Sequence, residues 1–337
     1  DGTIDFESTI DGVSGDSADD DLVIKAGDHD GDLIPGGVLT FGSSIGDTVP
    51  LTTLKINATA GTAILDIPQI GGGGVAGVTG QVDIGNSNTQ RIDINSSTID
   101  FGTGDVTLTA STAGTVFTTA TPTIDMVQTV TGGNGAADGG NLTINGAVTI
   151  NNGTLDINSG GGNISITGDI GSAGVDEAII LDDGTTVGSG TASTGTITLG
   201  GTVTSGDITL IGDSGISIAG DLTSNKTGGA GAIAFTGPVT LAGDVVITSD
   251  DHATSSITFN TTATINSDST ARTLKLDTDG GAIALQGAVG AASNGALSSL
   301  TINGPDDGKG AGTIEIANIG GTPVGVTGAT SIGNTNT

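Results

Sequence analysis

Short triplets of the form apolar-x-apolar recur along this chain at a near-constant spacing. One series is Ile233-Ala234-Phe235, Val239-Thr240-Leu241 and Val245-Val246-Ile247. The next is Ile257-Thr258-Phe259, Ala263-Thr264-Ile265 and Leu274-Lys275-Leu276; a third holds Ile283-Ala284-Leu285, Val289 and Leu300-Thr301-Ile302. The series begin at residues 233, 257 and 283, in steps of 24 and 26 residues. Each triplet alternates with period two, so one face points inward. Gly, Asn, Asp and Ser fill the gaps, where turns need positive φ or side-chain hydrogen bonds. Three strands per step describe one coil of a parallel β-helix, with roughly 20–25 residues per coil. No segment carries a sustained 3.6-residue apolar stripe, so no substantial helix is expected. An antiparallel sandwich is the alternative, but it does not account for triplets recurring at coil length. The fold expected is all-β, a right-handed parallel β-helix (β-solenoid), the hand following from crossover chirality. At about 4.8 Å per coil, such a chain builds a rod on the order of 70 Å long.

Composition agrees with a narrow core. Among 337 residues there are 62 Gly, six Phe and no Trp, Tyr or Cys, and only 34% are apolar. Stacked Ile, Val, Leu and Thr can fill a slender interior; a wide core of large side chains cannot form. Low hydrophobicity with high charge is also a signature of disorder, but the apolar positions here are periodic. The net charge is −30, from 37 acidic and seven basic residues. Phosphate contacts need clustered Lys and Arg, which argues against nucleic acid and against anionic membrane surfaces. Divalent cations, salt or a cationic partner are the natural counterions. No run of apolar residues is long enough to be a transmembrane segment.

The chain also echoes itself. Residues 77–89 read GVTGQVDIGNSNT and residues 325–337 read GVTGATSIGNTNT, identical at nine of thirteen positions with an offset of 248. Residues 36–46 align with 280–290, Ile4-Asp5-Phe6 with Ile257-Thr258-Phe259, and 65–72 with 314–321. The offset drifts because loops accept insertions that paired strands do not. Residues 1–89 therefore read as the C-terminal part of one long repeat unit, and 90–337 as one complete unit of 248 residues. On this reading the natural protein is a longer tandem array. The segment after Thr337 is expected to resemble Gln90-Arg91-Ile92-Asp93-Ile94.

A Gly-Asp-apolar triplet recurs at Gly31-Asp32-Leu33, Gly104-Asp105-Val106, Gly168-Asp169-Ile170, Gly206-Asp207-Ile208, Gly220-Asp221-Leu222 and Gly243-Asp244-Val245. It reads as a turn: Gly takes the turn conformation, Asp bonds a following amide, and the apolar residue enters the core. The strings Asn141-Leu142-Thr143-Ile144-Asn145-Gly146-Ala147-Val148-Thr149-Ile150 and Ile197-Thr198-Leu199-Gly200-Gly201-Thr202-Val203-Thr204 resemble the repeats of very large secreted bacterial proteins. These are the filamentous-haemagglutinin-like exoproteins and autotransporter-type adhesin passengers. The resemblance implies a right-handed β-helix, export to the cell surface, and a role in adhesion or surface fibres.

Candidate chemistry is confined to acidic loops. The densest are Asp19-Asp20-Asp21, Asp28-His29-Asp30-Gly31-Asp32, Asp182-Asp183, Asp250-Asp251 and Asp306-Asp307. Asp28, Asp30 and Asp32 have the alternate spacing of the first half of a calcium loop, making them the candidate Ca2+ ligands. Leu39 and Thr40 stand where an EF-hand places its last glutamate, so the loop is not an EF-hand. Gly132-Gly133-Asn134-Gly135-Ala136-Ala137-Asp138 approaches the nonapeptide calcium repeat with the wrong spacing. His29 and His252 both sit in acidic loops. No nucleophile elbow or phosphate-binding loop is present. The basic set is Lys25, Lys55, Arg91, Lys226, Arg272, Lys275 and Lys309, and the aromatics that sugar sites use are scarce. A polysaccharide-active β-helix enzyme is therefore the remote alternative, and no catalytic residue is assigned. Flat Thr arrays such as Thr107-Leu108-Thr109 and Thr118-Thr119 suit ice or mineral, but Thr-x-Thr does not repeat coil after coil. The function expected is structural: a rigid acidic segment of a giant extracellular fibre, sheath or surface filament, with Ca2+ as the one candidate cofactor and other copies of itself as partners. The alternative is the stalk of a bacterial adhesin that binds another cell or its glycans.

Overall fold

The computed structural model describes residues 3–13, 20–26, 37–58, 63–72, 77–102, 104–111, 113–118, 123–125, 139–172, 177–184, 195–250, 252–278, 281–303, 312–320 and 325–333. They fall into two compact units, Asp1–Asp169 with Asp183–Thr194, and Ile170–Asp182 with Gly195–Thr337. Each unit is a parallel β-solenoid, and no described residue is helical.

In the first unit, one ladder stacks Thr3–Phe6, Val38–Phe41, Ala63–Ile67, Thr89–Ile94, Gly114–Phe117 and Val148–Ile150, each parallel to the next. A second runs from Asp21–Ala26 through Thr53–Ala58, Val82–Gly85, Val106–Thr109 and Leu142–Asn145 to Ile164–Ile166. A third pairs Thr98–Asp100, Thr123–Asp125 and Thr154–Asn158, and single parallel bridges carry it back through Ile70 and Ile45 to Ile10.

The second unit repeats the plan. Its strands Ala232–Thr236, Val239–Leu241 and Val245–Ser249 lie beneath Ser256–Phe259, Ile265–Ser267 and Thr273–Thr278. Ile233 pairs with Ile257 and Ile257 with Ile283, the steps of 24 and 26 residues read from the sequence. The pairing is parallel throughout these ladders, which disposes of the sandwich.

Coil length varies more than the sequence suggested. Val203 pairs with Leu222 only 19 residues on, whereas Thr3 pairs with Val38, 35 residues on. The ladder fixes register but leaves the corners free, so extra residues collect between strands. The core is the set of alternating inward positions: Ile233, Phe235, Val239, Leu241, Val245 and Ile247 are each at most 1% exposed.

Four of the six Gly-Asp-apolar triplets do something other than turn locally. Asp105 Oδ1 accepts the Asn141 N–H (2.9 Å), Asp207 Oδ1 that of Ala232 (2.9 Å), Asp221 Oδ1 that of Val246 (2.7 Å) and Asp244 Oδ1 that of Thr273 (2.8 Å). In each case the amide belongs to the next coil, 25 to 36 residues away. The carboxylate thus ties successive coils through a charge-assisted bond. The preceding glycine serves close approach: a Cβ on Gly243 would overlap the Ala219 carbonyl oxygen of the coil below. The triplet at Gly31-Asp32-Leu33 lies outside the described residues. Asn extends the same device, since Asn163 donates its side-chain amide to Asn141 Oδ1 (2.8 Å) and Asn141 donates its own to Asp105 (3.0 Å).

Candidate functional site

Asp28, Asp30 and Asp32, with His29, lie outside the described residues, as do Asp19, Asp251, Asp306 and Asp307. In the loop of residues 19–21 the described acidic residues serve the coil. Asp20 Oδ2 accepts the Val13 N–H (2.9 Å) and Asp21 Oδ1 accepts the Thr53 hydroxyl (2.6 Å). Among the described residues, no three His, Asp or Glu side chains converge as a metal site needs.

Five of the seven cations are paired with neighbouring carboxylates. Lys55 pairs with Asp83 (2.9 Å), Arg91 with Asp93 (2.6 Å), Lys226 with Asp207 (2.6 Å), Arg272 with Asp268 (2.8 Å) and Lys275 with Asp277 (2.6 Å). Two hydrogen bonds from the Arg272 guanidinium, to Asp268 Oδ1 and Oδ2, hold that carboxyl below its usual range, helped by the Thr270 N–H. Basic side chains tied in this way are poor candidates for a catalytic base.

One hollow in the second unit is an open depression of about 540 Å³. Ser224 and Ser249 line it from the ends of strands Leu222–Ser224 and Val245–Ser249. The loop Asn225–Gly229, Asp250 and His252 form its rim. The serines belong to a buried hydroxyl column, Ser205, Ser224, Ser249 and Thr278, at the inward ends of four successive strands. Ser205 Oγ donates to the Glu177 carbonyl (2.9 Å), Ser224 Oγ to that of Gly206 and Thr278 Oγ1 to that of Gly281 (3.3 Å). Ser249 Oγ and Asn225 Oδ1 are buried without a protein partner. His252 Nδ1 lies 3.0 Å from Thr254 Oγ1, so that nitrogen is engaged within its own turn. The depression can therefore offer hydrogen bonds to a polar group, but it shows no serine activated by an imidazole. The sequence signal for this column is apolar-x-Ser/Thr at strand ends: Val203-Thr204-Ser205, Leu222-Thr223-Ser224, Ile247-Thr248-Ser249 and Leu276-Asp277-Thr278.

On the outer surface, Thr204, Thr223 and Thr248 stand in register on successive strands. Single-threonine columns thus form although Thr-x-Thr does not repeat; Asp277 interrupts this one.

One surface carboxylate is electrostatically strained. Asp66 sits beside Asp93 in the ladder of Ala63–Ile67 and Thr89–Ile94. Partial burial, then repulsion from Asp93, raises its pKa; the Asn95 side chain and Arg91 oppose the shift without cancelling it. A raised folded-state pKa means that protonation favours the fold. That contribution is full below the unfolded value near 3.9 and is lost as pH rises through the raised value. Asp66→Asn is expected to be more stabilising at pH 7 than at pH 4. Denaturation midpoints of both forms at the two pH values check this; equal differences would contradict it.

No protein-family model matches the chain, and neither a curated protein nor a solved structure matches it.

Proposed function

We propose that this chain is a structural repeat segment of a bacterial extracellular fibre, sheath or surface filament, with further copies of the same repeat as its partners. The observation that carries the reading is the division of labour among side chains. Within each unit the inward positions close an apolar stack, and many of the described charged groups tie coil to coil, as Asp221 and Asp244 do, or form neighbouring ion pairs, as Lys226 and Asp207 do. Repetition of one self-complementary unit is how solenoids gain length. The likeness of strings such as 141–150 to secreted exoprotein repeats supports export and a non-catalytic role. The acidic surface suits a hydrated exterior.

Immunogold labelling of intact cells with antibodies raised against this chain tests the proposal. Label spaced along extended surface fibres is expected. Label confined to the cell interior would overturn it. Single stalks ending in a distinct tip domain would favour the adhesin reading instead.

A further inference from the structure

The corner that follows the hydroxyl column is built in two ways. After Val203–Ser205 it is one residue, Gly206, before the strand Asp207–Ile211 begins. After Leu222–Ser224 it is the loop of residues 225–231, and after Val245–Ser249 the chain passes Asp250 and His252 before Ser256–Phe259 begins. These two extended corners, on successive coils, are the walls of the depression of about 540 Å³. At the tight corner the hydroxyls are spent on carbonyls: Ser205 Oγ donates to Glu177 and Ser224 Oγ to Gly206. Ser249 stands between the two extended corners, and its hydroxyl meets no protein group although the residue is only 2% exposed. Asn225 Oδ1, on the opposite wall, is likewise buried with no protein donor.

Both walls are held in shape. Asn225 N–H donates to the Ser205 carbonyl at 2.8 Å. Lys226 folds back to Asp207 Oδ2 at 2.6 Å, and its stem lies over Gly229, where a Cβ would sit 3.6 Å from Lys226 Cε. On the other wall Ser255 N–H donates to the His252 carbonyl at 2.9 Å. Gly231 N–H donates to Ser255 Oγ at 3.2 Å, which ties one loop to the other. A recess fixed before binding costs a ligand little ordering of the protein. Its volume of about 540 Å³ lies within the roughly 300–1,000 Å³ of small-molecule sites.

The lining atoms select the ligand. Asn225 Oδ1 can only accept, so the ligand must bring an O–H or N–H to it. That oxygen and the Asp250 carboxylate disfavour an inorganic anion, and the Lys226 ammonium on the rim disfavours a bare metal cation. Hydroxyl groups, which donate and accept, satisfy Asn225 Oδ1, Ser249 Oγ and the Thr248 hydroxyl alike. We infer that the depression between the loop of residues 225–231 and the segment at Asp250 and His252 is a binding site for a neutral saccharide unit, whose hydroxyls donate to Asn225 Oδ1 and meet Ser249 Oγ. Among the described residues no Phe lines the site, so affinity rests on hydrogen bonds and falls in the millimolar range. The inference goes beyond the fibre reading and does not rest on it.

Saturation-transfer NMR on the full chain tests it, with glucose, galactose and N-acetylglucosamine as probes, each alone and as oligosaccharides. Transfer to at least one of these sugars is expected. The double variant Asn225→Ala/Ser249→Ala is expected to bind that sugar about tenfold more weakly, the worth of two neutral hydrogen bonds. Ser249→Ala alone removes a buried hydroxyl that has no protein partner, so its thermal midpoint should be unchanged or higher. Loss of binding in that variant is then not loss of fold. Tighter binding of the oligosaccharides would identify a glycan chain as the source, and equal binding a free sugar; both support the assignment. No transfer to any probe would overturn it, as would equal affinity in the double variant. Calcium chloride or sodium phosphate alone shifting the Asn225 and Ser249 amide signals, where the sugars do not, would assign the depression to an ion and overturn it as well.

Discussion

Gly46→Ala is expected to destabilise the first unit by about 3 kcal/mol or more. Two costs combine at this position. The backbone is left-handed, with φ of 67°, which penalises an L side chain by about 1–2 kcal/mol. The added Cβ would also overlap the Gly77 carbonyl oxygen and lie 2.8 Å from its carbon and 2.9 Å from its Cα. These are backbone atoms of the neighbouring coil, with no flexible side chain to give way, and overpacking of this sort costs about 1–3 kcal/mol. Gly290 repeats the geometry, with φ of 67° and its own overlap on the Gly325 carbonyl. Its neighbour Gly325 belongs to a coil whose Ile314, Ile316 and Ile319 are only partly buried, so fewer packed side chains oppose a shift. Gly290→Ala is therefore expected to cost less than Gly46→Ala. Denaturant titrations of the two variants measure the difference through the midpoint at constant m-value. Equal costs would mean that the partly buried coil is held as firmly as the fully buried one.

Sequence made the coil legible because two signals agree at each strand. Apolar alternation marks which side chains turn inward, and Gly, Asn and Asp mark the corners. The 24- and 26-residue steps from Ile233 to Ile257 to Ile283 are the observed register. Corner chemistry was less legible, because the partner of a corner side chain lies one coil away rather than one turn away. Asp221 reads locally as a turn residue, yet its carboxylate holds Val246 N–H, 25 residues on. The buried serine column escaped for a related reason. Ser249 looks like another surface turn residue until stacking places it at 2% exposure between Ser224 and Thr278. Composition pointed to acidic loops as the place for cations; Asp20 instead holds the Val13 N–H and Asp21 the Thr53 hydroxyl, and the strongest candidate, Asp28 to Asp32, lies outside the described residues.

Phe259→Ala is expected to cost about 3–5 kcal/mol, at the upper end for its kind. Phe259 belongs to an inward column in which Leu210, Phe235, Phe259 and Leu285 pair in sequence from coil to coil. The two rings are stacked, with centroids 4.2 Å apart and planes 8° apart, and Phe259 is fully buried. Truncation leaves a void that the coil cannot close. Parallel ladders on both sides fix the coil spacing through backbone hydrogen bonds, so relaxation would have to break them. Phe235→Leu should be far milder, at about 1.5 kcal/mol or less, because leucine already fills the column at positions 210 and 285. A double-mutant cycle between Phe235 and Phe259 should return a coupling of about 0.5–1.5 kcal/mol, the worth of stacked rings beyond their burial. Midpoint shifts in urea measure all three quantities. A cost for Phe259→Ala below about 1 kcal/mol would show that the coil collapses onto the void. The slender core would then be stabilised by its backbone ladders more than by the fit of its side chains.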